Sequence, residues 1–124
     1  MRRALPQLMR YAAVGAVATL VHYLLLVSCV ELAGWPAWLA SGFGAVAGAQ
    51  IAYYGNRRFT FAHGGAMAAS WLRFQATALF GAVAGMGVVA LTVRMGLYYL
   101  LAQVLATLLM LLLTFGINRR WTFG

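Results

Sequence analysis

Apolar residues fill four long runs of this chain, and polar residues collect in the short intervals between them. From Tyr11 up to Glu31 the only readily ionisable group is His22. A helix of that length crosses a hydrocarbon core ~30 Å thick at ~1.5 Å rise per residue. Gly34-Trp35-Pro36 then breaks the pattern, because proline lacks an amide donor and disfavours helix in the residue before it. A second apolar run predicts a span over 37–55. Asn56 to Leu72 is the longest polar stretch, with His63-Gly64-Gly65 as its expected turn. A third span is predicted over 74–93, a tight reversal at Arg94-Met95-Gly96, and a fourth span over 97–117. Without water to pair backbone groups, such runs form helices; strands of a barrel would be only ~10 residues each.

The pattern is written twice. Asn56-Arg57-Arg58-Phe59-Thr60-Phe61 closes the first half and Asn118-Arg119-Arg120-Trp121-Thr122-Phe123 the second, 62 residues later. Arg10-Tyr11 and Arg73-Phe74 open the two halves, 63 residues apart. Self-similarity at a fixed spacing is a fold signature in its own right. The expectation is a single membrane domain over 1–124, with one repeat over 10–61 (spans 11–31 and 37–55) and a second over 73–123 (spans 74–93 and 97–117). Two spans per half make the repeats parallel, related by an axis along the membrane normal.

Composition removes the soluble alternatives. Charged residues make up 8% of the chain and hydrophobic ones 65%, against roughly 25% charged in a soluble domain. The net charge of +8 comes from nine arginines and one acid, Glu31. In a polar chain that balance would suggest nucleic acid; in this one it belongs to membrane topology, and no nucleic-acid partner is expected. Arg2, Arg3, Arg10, Arg57, Arg58, Arg73, Arg119 and Arg120 fall on one side of a four-span layout, with Arg94 alone opposite. That bias predicts both termini in the cytoplasm. The aromatics Trp35, Trp38, Tyr98 and Tyr99 then sit at the other interface. The first run is too long for a signal-peptide core and is read as retained.

Gly44-Ala45-Val46-Ala47-Gly48 and Gly81-Ala82-Val83-Ala84-Gly85 are the same five letters, and Gly15 to Thr19 nearly repeats them. Glycines four apart share a helix face and let helices approach closely within lipid, inside one subunit or between two. The lone Cys29 reads as a small buried hydrophobe and excludes an intramolecular disulfide.

Enzymatic chemistry is poorly supplied. There is no pair of carboxylates, and two histidines without a neighbouring acid give neither a metal-ligand spacing nor a nucleophile and base, so no catalysis, cofactor or metal is expected. Anion binding is supplied. Arginine offers a planar fork of donors that fits phosphate, on a stem that lies along apolar surface. Asn-Arg-Arg beside Phe59 and Phe61, or beside Trp121 and Phe123, suits a lipid phosphate at headgroup depth. The same arginines serve equally as orientation signals, and charge alone does not choose between the two. Within the spans Thr19, His22, Gln50, Gln75, Gln103 and Thr107 form a polar minority; such groups usually face a bundle interior or a wet cavity. His22, Gln50 and Gln103 are the candidate cavity-lining residues, and Glu31 is read as a loop charge or a partner of Arg94.

From Arg10-Tyr11 with Val14-Gly15 through both Asn-Arg-Arg motifs to Phe123, the chain resembles the GtrA-like family. The resemblance implies an all-α protein of the bacterial inner membrane that moves a polyprenyl-phosphate-linked monosaccharide for cell-surface polysaccharide modification, or that assists the glycosyltransferase making it. A similar four-helix region is fused to some dolichol-phosphate mannose synthases. Carried onto this chain, Asn56, Arg57, Arg58, Asn118, Arg119 and Arg120 meet the lipid phosphate, with Arg10 and Arg73 completing a basic ring. The leading reading is therefore a flippase, and the alternative is a non-transporting scaffold that recruits a glycosyltransferase and presents its lipid. A small multidrug exporter would want a carboxylate deep in the first span, which is missing. Four helices give little shelter to a sugar, so self-association is also expected.

Overall fold

The computed structural model of the protein describes residues 4–60 and 67–117. The His63-Gly64-Gly65 turn and the second Asn-Arg-Arg motif, from Asn118 to Phe123, lie outside them. Among the described residues every regular element is helical: α1 (Ala4–Glu31), α2 (Ala37–Gly55), α3 (Met67–Arg94) and α4 (Tyr99–Ile117). A wider π-helical turn, Asn56–Thr60, continues α2 without a break. Helices α1 and α3 have 28 residues each, and α2 and α4 have 19. Both long helices begin well before the apolar runs that start at Tyr11 and Phe74. Hydropathy marks where lipid begins, whereas alanine, leucine, methionine and arginine sustain a helix on either side of that boundary.

Among the described residues two helical stretches are long and apolar enough to cross a membrane, Met9–Glu31 with mean hydropathy 2.1 and Trp71–Arg94 with 2.0. In their most apolar 18-residue stretches only 11% of the first and 22% of the second is buried inside the protein, whereas the core helix of a soluble protein would be mostly covered. Leu108, Leu111 and Leu112 of α4 point outward in the same way. Apolar surface on this scale belongs in lipid, where only structures that satisfy their own backbone are stable.

Helix α2 is built differently. It packs against both α1 and α3, and the residues it buries are mostly small: Ala40, Ser41, Gly42, Gly44 and Gly48. A Cβ on Gly44 would lie 2.7 Å from the His22 carbonyl oxygen, and one on Gly48 would lie 2.9 Å from that of Ala18. The Gly-x-x-x-Gly stripe of α2 thus lies directly on the backbone of α1, within one chain. Gly42 turns to α3, where a Cβ would meet the Met86 thioether. Gly15, by contrast, faces open space, and Thr19, grouped by sequence with the inward polar residues, is exposed.

The helix pairs close through corresponding turns. Gly34 (φ 72°) and Gly96 (φ 100°) take the left-handed conformation that ends a helix cheaply only when there is no Cβ. Leu32 N–H donates to Ser28 O as Met95 does to Leu91 O, and Trp35 donates to Cys29 O as Leu97 does to Thr92 O. The first turn has five residues, 32–36, and the second four, 95–98. This single residue is where the spacing between corresponding positions changes from 63 to 62. Buried positions follow the same rule: Leu26 and Val89 are both fully covered, as are Ala40 and Ala102.

Close helix packing runs from α1 to α2, α2 to α3 and α3 to α4. Between α1 and α4 the described links are side chains: Tyr23 Oη to Thr107 Oγ1 at 2.8 Å, and Tyr99 Oη donating to Glu31 Oε1 at 2.8 Å. Glu31 therefore takes its hydrogen bond from a phenol rather than from Arg94, because the turn at Gly96 carries α4 back past the end of α1 with Tyr99 in its first turn.

Candidate functional site

At the arginine-rich end of the first helix pair, two stripes face one another. Arg10, Ala13, Val14 and Val17 stand at i, i+3, i+4 and i+7 of α1, and Ile51, Gly55 and Arg58 at i, i+4 and i+7 along α2 and its π turn. Together these seven residues line an open cleft of about 640 Å³. Gly55 sets its width, since a Cβ there would come within 2.7 Å of Val14 Cγ1. The π turn packs back against α1 and brings Arg58 to the same cleft as Arg10. Guanidinium groups keep their charge at any physiological pH. The result is a cationic mouth above aliphatic walls, a shape for an amphiphile with an anionic head.

Of the residues expected at a phosphate site, Arg10 and Arg58 are brought together. Asn56 and Arg57 lie half-buried on the π turn beside them. Arg73 is exposed on α3 and does not line the cleft; its carbonyl accepts from Thr77 Oγ1 at 2.9 Å. Asn118, Arg119 and Arg120 are outside the described residues. Among the described residues none of α3 or α4 lines this cleft. At the same end an aromatic cluster ties α2 to α3: Trp71 Nε1 donates to Tyr54 Oη at 3.2 Å, and the rings of Tyr53 and Phe74 are 5.1 Å apart.

The three candidate cavity residues have separate surroundings. Gln50 of α2 and Gln75 of α3 form a reciprocal amide pair, at 2.7 and 3.0 Å, which satisfies both side chains and zips the two helix pairs together. His22 lies in the α1 to α2 interface over Gly44, with its Nε2 buried and unpartnered. Gln103 is 2% exposed, and its Nε2 donates to Thr107 Oγ1 at 3.1 Å while its Oε1 is buried without a partner. Sequence reasoning missed Tyr23, whose phenol joins this layer; an aromatic in an apolar run looks like bulk, and only the facing Thr107 gives its hydroxyl a purpose. It also missed Gly55, which the chain spacing from Ile51 and Arg58 could have indicated. Among the described residues no group of three His, Cys, Asp or Glu could hold a metal ion.

Compared with protein-family models, residues 10–123 match the family described as GtrA/DPMS, transmembrane domain. No curated protein and no solved structure matches the chain. The family match runs almost from end to end, so the chain belongs to the GtrA/DPMS transmembrane-domain family, a membrane domain rather than a catalytic one.

Proposed function

We propose that this member of the family binds a polyprenyl-phosphate-linked monosaccharide and moves it across the bacterial inner membrane. The observation that carries this reading is the cleft of Arg10 and Arg58 above Ala13, Val14, Val17 and Ile51. Its cationic mouth fits the phosphate and its apolar walls fit the first isoprene units. Asn56 and Arg57 stand beside it, and Arg73, Arg119 and Arg120 supply the corresponding charges of the second half, with Asn118 the counterpart of Asn56. On this reading the arginine-rich end faces the cytoplasm, as the charge bias favours, and the corresponding helix lengths and turns support two parallel helical hairpins.

Reconstitution into liposomes tests it. Labelled polyprenyl-phosphate-linked sugar in the outer leaflet becomes inaccessible to an external glycosidase as the protein transfers it. Hydrogen bonds to charged groups are worth about 1.5–3 kcal/mol each, so Arg10→Gln with Arg58→Gln slows transfer by at least tenfold in a chain that still purifies folded. Unchanged transfer overturns the assignment of the cleft.

One observation favours a second reading. Among the described residues the cleft is lined from the first helix pair, an arrangement suited to presenting a lipid to a partner glycosyltransferase. If the wild-type chain moves nothing by itself but stimulates such an enzyme in the same vesicles, the scaffold role replaces transport.

A further inference from the structure

The two helix pairs meet along two seams, and these differ in kind. Between α2 and α3 there is close packing, with the Gln50 to Gln75 amide pair and the Tyr53, Tyr54, Trp71 and Phe74 cluster. Among the described residues α1 and α4 are not closely packed in this way; side chains reach across at Tyr23 to Thr107 and at Glu31 to Tyr99. Each of these latter links can break without a helix being unpacked. Beside the first of them, Gln103 is almost wholly buried and its carbonyl oxygen has no donor. An unmet acceptor in a lipid-surrounded interior is costly, and a hydroxyl group removes that cost. His22, whose ring packs edge-on against that of Tyr23 at 5.3 Å, adds a second unpartnered polar atom to the layer.

We propose that the α1 to α4 seam is the lateral passage for a hydroxyl-rich headgroup, and that the Gln103 carbonyl, with Thr107 and Tyr23, is the transit seat for its hydroxyls. This rests on the translocation reading above and adds where the polar head travels. Tyr23 lies thirteen residues along α1 from Arg10, roughly 20 Å at 1.5 Å per residue. The seat therefore takes over after the phosphate leaves the arginine cleft. When the seam parts, Thr107 exchanges its bond to Tyr23 for one to the ligand. Gln103 gains the donor that it lacks at rest.

The test uses the full chain with Cys29→Ser in liposomes, and polyprenyl-phosphate glucose and mannose as probes. Glu31→Cys with Tyr99→Cys, which replaces the other cross-seam link and leaves the seat intact, bridged by a short reducible bis-methanethiosulfonate, is expected to lower transfer at least tenfold and to recover on reduction. Gln103→Met is expected to lower it about tenfold. In both, photo-crosslinking of a polyprenyl-phosphate probe to the Arg10 end stays at the wild-type level, which separates a blocked passage from a misfolded chain. Transfer that survives the bridge, or that Gln103→Met leaves unchanged, overturns the seam while translocation stands. A wild-type chain that transfers nothing overturns both.

Discussion

The first and second helix pairs reach the same close approach with their small residues on opposite helices. In the first, α1 contributes Ala18 and His22, and α2 contributes Gly44 and Gly48. The corresponding positions of the second are Gly81 and Gly85 on α3, with Ala106 and Met110 on α4. Gly85 and Met110 touch: a Cβ on the glycine would lie 3.6 Å from Met110 Cγ, an ordinary contact. Where one pair sets a large side chain on its first helix against glycine on its second, the other reverses the sizes. What the interface conserves from one pair to the other is total volume across the contact, as dense packing requires. Tolerance differs all the same, because in the first pair the glycines press on backbone, and in the second Gly85 meets only the flexible Met110 side chain at ordinary distance.

The sharpest way to break this comparison is Gly44→Ala. The new Cβ would meet the His22 carbonyl oxygen and Cδ2, at 2.7 and 2.6 Å, and overpacking of this kind costs about 1–3 kcal/mol. Reversible unfolding in mixed micelles should register a loss at the top of that range. Adding His22→Ala removes the ring contact but leaves the carbonyl, so the double variant should recover only part of the loss; full recovery would mean that the side chain, not the backbone, sets the spacing. Gly48→Ala ranks next, with one contact at 2.9 Å to the Ala18 carbonyl and an expected cost of about 1–2 kcal/mol. At the far end of the scale, Gly85→Ala should be neutral or slightly stabilising. Its Cβ has room, and alanine is favoured over glycine within a helix by up to about 1 kcal/mol. A large loss there would contradict the proposed asymmetry.

Much of this architecture is legible in the order of residues. Four helices follow from four apolar runs, and the positive-φ turns fall at Gly34 and Gly96, where the runs are interrupted. The shared five-letter motif announces close contacts, though not that Gly44 and Gly48 would face α1 while Gly15 faces none. The site is less legible. Arg10 and Arg58 are 48 residues apart in sequence and meet because Gly55 lets α2 close on Val14, which depends on how two helices are rotated about their axes. Gln50 and Gln75 look like isolated polar residues until the fold makes them partners. Glu31 is legible in part for the same reason: it is the exposed charge beside the turn that the sequence suggests, but the residue that the turn delivers to it is Tyr99 and not Arg94.

The extra residue in the first turn has a practical use. Leu32 is 86% exposed, and the surplus at 32–36 is absorbed before α2 begins, without a shift in the helices on either side. A short epitope or a single labelling cysteine set between Leu32 and Ala33 should therefore be accommodated as the native surplus is. It would report from intact cells which compartment that turn inhabits.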